Sequence, residues 1–409
     1  MGWQDSAWIQ RLREISRQMW FRVTLFSLGG VALALLAQWI GPYLPYIPEI
    51  ELASGSVSSL LNIIASSMLA VTTFSMSIII GAYGSATNSA TPRATELLAM
   101  DTVAQNAVSV FIGSFLFSIV GIIGLSAGFY AAQGRVLLFA ATLLNILLIV
   151  WTLLRWVDHL NRFGRMTDII GRIETAATNA ACLYRDNPRL GARPLPSGLA
   201  GDACHVLPKD AGFVRFIDMP ALQDAAEKLD IRVEVLRMPG KYVHRHEPLM
   251  AVSRDLDQAG ADRLRDAFTL GLRRSFDQDI RYGMIVLSEV ASRALSAAIN
   301  DPGTAIDVIR AGGRVLAEYH RPADETHQAV RHDRIHVPEL EVRELYREFF
   351  SPIVRHGAAE PEVIQALLDS VEALGQGDGD KALTRRIAHE VRVRAVDVLK
   401  RNWERRMLQ

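Results

Sequence analysis

Hydrophobic positions along this chain follow two regimes. Up to about residue 154 they form long unbroken runs, and beyond it they recur at helical or strand spacing among charged residues. Four runs, 23–40, 58–84, 103–130 and 136–154, match the length needed to cross a bilayer core as a helix. Trp20 and Trp39 flank the first at interface depth, and Gly41-Pro42 ends it. None of the runs contains Asp, Glu, Lys, Arg or His. Ahead of them, residues 1–22 place Trp8, Leu12, Ile15 and Met19 on one helical face beside arginines, the pattern of an interfacial amphipathic helix. A cleaved leader is disfavoured, because apolar residues continue past Ala32-x-Ala34.

The second run carries a periodic pattern of its own. Ser59, Asn62, Ser66, Ala70, Thr73, Ser77, Gly81 and Gly84 are spaced three or four apart, so small and polar residues form one stripe along a helix. Two readings stay open: close helix packing, or the lining of a central wet pathway in an oligomer. The third run has a weaker stripe, Asn106, Ser109, Gly113, Gly121, Gly124 and Gly128, which suits packing against the second.

After the fourth run, residues 155–187 read as a continuing helix, with Ile169, Ile170, Ile173 and Ala177 at helical spacing, and a Pro/Gly-rich break follows at 187–201. Strand-like alternation appears at 213–218 (FVRFID) and 231–237 (IRVEVLR), with a short helix between. The pattern Pro239-Gly240-x-x-Val243…Pro248-Leu249-x-x-Val252 resembles the hairpin of small barrel-sandwich folds; Lys241 lacks the context of a modified lysine. Helical periodicity resumes at 261–274 and 282–295, and two or three amphipathic helices fill 342–408, broken at Gly375–Gly379. Asp301 with Pro302 reads as a helix start, whose amides offer a seat for an anion or a partner.

Charge adds orientation. Arg11, Arg13, Arg17 and Arg22 precede the first run, the loop at 42–56 has no Lys or Arg, and Arg155, Arg162 and Arg165 follow the fourth. This bias places both termini in the cytoplasm. Residues 1–154 hold six Lys/Arg and six Asp/Glu, and the remaining residues hold 38 of each. A neutral polar half gives no support for nucleic-acid binding. Cys182 and Cys204 have no metal-site spacing and suit a reducing compartment. All ten histidines lie at or beyond His159. His244-x-His246 would share one strand face but lacks a third ligand, and His320, His327, His332 and His336 cluster as a candidate pH-sensitive group. The run Arg273–Asp279 reads as a solvated or ion-paired face, with a ligand patch as the alternative. No catalytic constellation, phosphate-binding loop, metal set or cofactor motif is present, so an enzyme is not expected.

Ser89-Ala-Thr-Pro-Arg93, Gly212-Phe-Val-Arg-Phe-Ile-Asp218, Arg274-Ser-Phe-Asp-Gln-Asp279 and Ser296-Ala-Ala-Ile-Asn-Asp-Pro-Gly-Thr304 occur in that order behind four apolar runs. Together they resemble the bacterial predicted membrane protein family, domain of unknown function 2254. The resemblance implies an inner-membrane location and supplies no activity or catalytic residue.

The sequence therefore predicts an α-helical membrane protein with four transmembrane helices plus an α+β cytoplasmic domain. That domain would contain a small β-rich, barrel-sandwich-like module and a helical C-terminal part. The expected divisions are an amphipathic segment (1–22), a transmembrane domain (23–160), a helical connector and linker (161–201), a β-rich module (202–254) and a mainly helical domain (255–409). The preferred function is a homo-oligomeric, channel-like protein with a cytoplasmic gating or assembly domain. Ser59, Asn62, Ser66, Thr73, Ser77 and Gly81 are its pore-lining or packing candidates. The alternative is a non-conducting sensor or scaffold that binds a ligand or protein through Asn300, Asp301, Gly303 and Thr304. Expected partners are the lipid bilayer, further copies of the chain and an ion or small ligand.

Overall fold

Long apolar sequence with few charges folds here as helices that keep many large apolar side chains on their outer surface. The computed structural model describes residues 18–40, 54–196, 204–323 and 329–399. The expected amphipathic helix lies almost wholly outside the described residues. The described residues fall into two compact units: those within 18–87 together with 95–165, and 88–94 together with those within 166–399.

The first unit contains α1 (Met19–Ile40), α2 (Ser54–Ser89), the short α3 (Thr95–Ala99), α4 (Thr102–Ser126) and α5 (Ala132–Leu160). Four of its helical segments are long and apolar enough to cross a membrane. Leu25, Leu28, Leu36 and Trp39 of α1 face outward, as a lipid-facing surface requires. The core joins Ala34 and Ala37 to Val57, Leu61, Phe117, Tyr130 and Leu138.

Three buried polar side chains of this unit find partners within it, which offsets the cost of apolar surroundings. Ser114 Oγ donates to Asn145 Oδ1 at 2.8 Å, Trp156 Nε1 to Ser75 Oγ at 3.0 Å, and the Tyr130 hydroxyl to Ala34 O at 3.0 Å. The small residues of α4 meet chiefly α1 rather than α2. A Cβ on Gly30 would lie 2.6 Å from Gly113 O, and one on Gly113 would lie 2.9 Å from Phe26 O. Asn106 accepts a hydrogen bond from Arg22, and only Gly121 presses on α2, through Leu61. The expected packing partner is thereby corrected: backbone approach, which glycine alone permits, occurs where both helices are small.

The expected continuous helix at 155–187 is two helices. α5 ends at Leu160, Gly164 adopts a left-handed φ of +75°, and α6 (Met166–Asp186) starts afterwards as a separate helix of the second unit. There, β1 (Ala192–Pro194), β2 (Cys204–Val206), β3 (Gly212–Ile217), α7 (Met219–Lys228), β4 (Val233–Val235), β5 (Tyr242–Val243), β6 (Met250–Val252), α8 (Gln258–Arg265) and β7 (Phe268–Gly271) follow in order. Next come α9 (Ile280–Ala294), α10 (Pro302–His320), β8 (His332–Val337), α11 (Val342–Gly357), α12 (Pro361–Gln376) and α13 (Lys381–Val398).

The strands form a five-stranded sheet in the order β1-β8-β4-β6-β2 and a three-stranded sheet β5-β3-β7. The β1–β8 and β8–β4 pairs are parallel; the remaining pairs are antiparallel. Two expectations change. The strands after Pro239-Gly240 do not form one hairpin, because β5 pairs β3 in one sheet while β6 joins β2 and β4 in the other. Residues 261–274, expected as one helix, end their helix at Arg265 and continue as β7. There Phe268, a β-favouring residue, pairs with Ile217. Helix α9 packs on α6, α10 and α11 through Val286, Leu287, Val290 and Ala291, all fully buried.

Candidate functional site

The stripe of α2 occupies the outer surface of the first unit. Ser59, Asn62, Ser66, Thr73, Ser77 and Gly81 are all exposed, while Val57, Leu61, Ile64, Met68 and Ile79 on the other face are buried. Dry packing of the stripe against α4 is therefore not the arrangement of the single chain. Four of its hydroxyls turn back to carbonyls one turn earlier: Ser59 to Gly55, Ser66 to Asn62, Thr73 to Leu69 and Ser77 to Thr73, at 2.8–3.0 Å. The Asn62 carboxamide has no partner among the described residues, and a Cβ on Gly81 or Gly84 would meet nothing within 4 Å.

In the second unit, the sequence motifs assemble around helix α9. Its N-cap is Asp279, whose side chain accepts from Tyr282 N at 3.1 Å. The same carboxylate receives a two-point grip from Arg274, with Nε to Oδ2 at 2.7 Å and the terminal nitrogen to Oδ1 at 2.9 Å. Arg274 also lies 5.2 Å above the Tyr282 ring centroid. Gly240, at φ +88°, brings the Pro239-Gly240 turn so close that any Cβ there would collide with the Asp279 carboxylate. Gln278 exchanges two hydrogen bonds with the backbone of Ile217 and accepts one at its own carbonyl from the Tyr184 hydroxyl. Asp279 is 3% exposed, so this run is a buried ion-paired node rather than a solvated face. Burial pushes the Asp279 carboxyl upward, and Arg274 opposes the shift.

Beside the node lies a cavity of about 100 Å³, lined by Tyr184, Lys241, Asp279, Arg281, Glu341 and Glu344. Ligand pockets for organic molecules start at roughly 300 Å³, so it has room for a few waters only. Arg281 in its lining is ion-paired, reaching Glu344 at 2.8 Å and Glu348 through Nε at 2.9 Å.

At the far end of α9, Asn300 takes a φ of +50° and Asp301 caps α10. Asp301 Oδ1 accepts from Thr304 N at 3.0 Å, and the Thr304 hydroxyl donates to Oδ2 at 2.6 Å. These bonds from Thr304, with a further backbone bond from Gly303, hold the Asp301 carboxyl below its ordinary value. The loop's own carboxylate thus takes the amides that an external anion would need, which favours the helix-start reading of Asn300, Asp301, Gly303 and Thr304.

The histidines do not form one group. His327 lies outside the described residues, while His332 and His336 sit on β8. His244 and His246 fall in the turn after β5 rather than on one strand face. Among the described residues, no cluster of three or more His, Cys, Asp or Glu is arranged to hold a metal. His320 lies 3.0 Å from the Tyr346 hydroxyl, and burial holds its imidazole below the ordinary value against the pull of Asp380 and Asp378. The unfolded chain takes up this proton as pH falls through about 6.5, before the folded chain does. Stability should therefore drop between pH 7.5 and pH 5.5. Burial lowers His336 in the same direction, so His320→Gln is expected to remove part of the drop. Thermal unfolding of both proteins at the two pH values checks this; identical pH dependence would exclude His320.

Two arrangements carried no signal in the sequence. Asp101, the N-cap of α4, has its Oδ1 3.1 Å from His159 Nε2 at the end of α5, and His159 stacks on Trp156. Glu289, in the middle of α9, holds the segment that follows α2. Thr91 Oγ1 donates to its Oε2 at 3.0 Å, and the Arg93 guanidinium pairs with Oε1. Sequence separations of 58 and nearly 200 residues leave nothing local to read.

Residues 16–373 match the family described as predicted membrane protein (DUF2254), and the chain belongs to that family. It is 30% identical over 217 residues to Uncharacterized protein Mb1321c of Mycobacterium bovis and to Uncharacterized protein Rv1290c of Mycobacterium tuberculosis. The match covers 49% of this chain and 40% of each relative, so the chain spans well under half the length of these proteins. No solved structure matches.

Proposed function

We propose that this member of the predicted membrane protein family is a homo-oligomeric, channel-like protein of the bacterial inner membrane. In this reading both termini are cytoplasmic, α2 lines or abuts the symmetry axis, and the α+β unit gates or assembles the ring. The supporting observation is the outward stripe of α2, with the Asn62 carboxamide exposed and unpartnered among the described residues. A polar amide facing hydrocarbon is costly, and a second copy of the chain or a water-filled axis relieves that cost. The apolar residues Ile63, Leu69 and Phe74 are also exposed beside the stripe, giving neighbouring copies a surface to pack on. The reading assigns no enzymatic step.

The test uses full-length protein in lipid nanodiscs with Cys182 and Cys204 replaced by serine. Native mass spectrometry is expected to show a closed oligomer. Cysteines introduced at Ser66, Thr73 and Ser77 should react with a membrane-impermeant thiol reagent, and those at Phe74 and Ile80 should react at least roughly tenfold more slowly. Liposome flux should accompany this pattern. A monomer with an unreactive stripe and no flux at any pH, voltage or tension would sink the channel reading. It would leave a non-conducting sensor or scaffold.

A further inference from the structure

Residues 88–94 comprise the last two residues of the second candidate span and the link to the third, yet they belong to the compact unit built from residue 166 onward. One carboxylate takes a direct part in fastening them there. Glu289 uses both oxygens, one for the buried Thr91 hydroxyl and one for the Arg93 guanidinium. Ala90 and Ala94 are buried on either side. The carboxylate is set on a rigid support. Its neighbour Ser288 donates to Phe349 O at 3.0 Å, and α9 is fixed at its start by the Asp279–Arg274 node. Further along α9, Gly283 lies tight against Ala177 of α6. The other partner is equally direct, because α2 runs to Ser89 and a single residue separates its end from Thr91.

We propose that Glu289 is a positioning residue, a latch through which α9 holds the end of α2 and passes changes in the α+β unit to the helix that carries the stripe. Three motifs then serve one device: Ser89–Arg93 is the strike, α9 is the bar, and Arg274–Asp279 anchors it. The Glu289 side chain is 30% exposed and that of Arg93 52%, so the pair is solvated enough to open and close reversibly. The latch itself does not depend on conduction; its consequence for the stripe rests on the channel reading above.

Hydrogen exchange on the full-length protein in nanodiscs tests it, with Glu289→Ala, Arg93→Ala and Thr91→Val. Each should speed exchange of the amides of Ala90, Thr91, Arg93 and Ala94, by about tenfold for Glu289→Ala, while amides of α9 at 284–288 keep their protection. In the cysteine variants at Thr73 and Ser77, Glu289→Ala should change thiol reactivity. The reversed pair Arg93→Glu with Glu289→Arg should restore both readouts, which a merely structural role would not do. If Glu289→Ala does not fold, Arg93→Ala and Thr91→Val carry the test from outside α9. Unchanged exchange at 90–94 in all variants would overturn the latch. Faster exchange with unchanged stripe reactivity would overturn the transmission. Failure of the channel reading shows separately, as a monomer with an unreactive stripe before any latch variant is made.

Discussion

Replacing Asp279 with alanine should destabilise the α+β unit by about 3–5 kcal/mol, the cost of leaving a buried charge without its partner. Arg274 is largely buried, and its two-point grip on Asp279 satisfies it. Without the carboxylate the guanidinium keeps, among the described residues, its contact with the Tyr282 ring. Helix α9 also loses its N-cap, a further contribution of about 1 kcal/mol. Asp279→Asn should cost less, because the amide oxygen still accepts from Tyr282 N while the neutral group no longer balances Arg274. The double variant Asp279→Ala with Arg274→Met should lose clearly less than the sum of its two single changes, since it removes both charges together. Chemical denaturation followed by circular dichroism, with hydrogen exchange in α9, measures each. A loss below about 1 kcal/mol for Asp279→Ala would show that the node is dispensable for folding.

The second large effect should appear in the first unit. Gly30→Ala is expected to lower stability by about 1–3 kcal/mol, and Gly30→Leu to abolish the monodisperse folded protein in detergent. At Gly30 the obstacle is a backbone carbonyl, Gly113 O, which no rotamer change can move aside. Gly29 supplies an internal control, because a Cβ there meets nothing within 4 Å. Gly29→Ala should therefore be neutral or slightly stabilising, through the better helix propensity of alanine. Thermal scans of the three variants in one detergent decide the matter. Equal behaviour of Gly29→Ala and Gly30→Ala would mean that α1 does not approach α4 at this point in the detergent-solubilised protein.

Much of the local architecture was legible because local chemistry sets it. The apolar runs at 23–40 and 136–154 became α1 and α5, since a bilayer core demands a length of helix that few soluble segments supply. Asp301-Pro302 became a capped helix start, and the break at Gly375–Gly379 became the junction of α12 and α13. Where the local signal was ambiguous, the partner decided. Phe268–Gly271 fits a helical period as well as a strand, and pairing with β3 settled it as β7. The turn at Pro239-Gly240 is tight, with Gly240 at a φ of +88°. Its tightness serves the Asp279 carboxylate as well as β5, a relation that connects positions 39 residues apart.

The candidate site shows the same division. Periodicity alone established that α2 carries one stripe of Ser59, Asn62, Ser66, Thr73, Ser77 and Gly81, because a 3.6-residue repeat fixes which residues share a face. It could not say whether that face turns toward the neighbouring helices or away, since small polar residues suit both. The direction came from Val57, Leu61 and Met68, whose larger apolar surfaces took the inward side. Likewise the sequence determined that Arg274–Asp279 is dense in charge, while burial beneath Gly240 and Tyr184 made it a node. Glu289 was one of 44 acidic residues in the chain, marked by no local motif, until folding placed Thr91 and Arg93 on its two oxygens. Spans, caps and helical faces follow from interactions within a few residues, which the sequence states directly. Partners are chosen by packing across hundreds of residues, which only the tertiary structure decides.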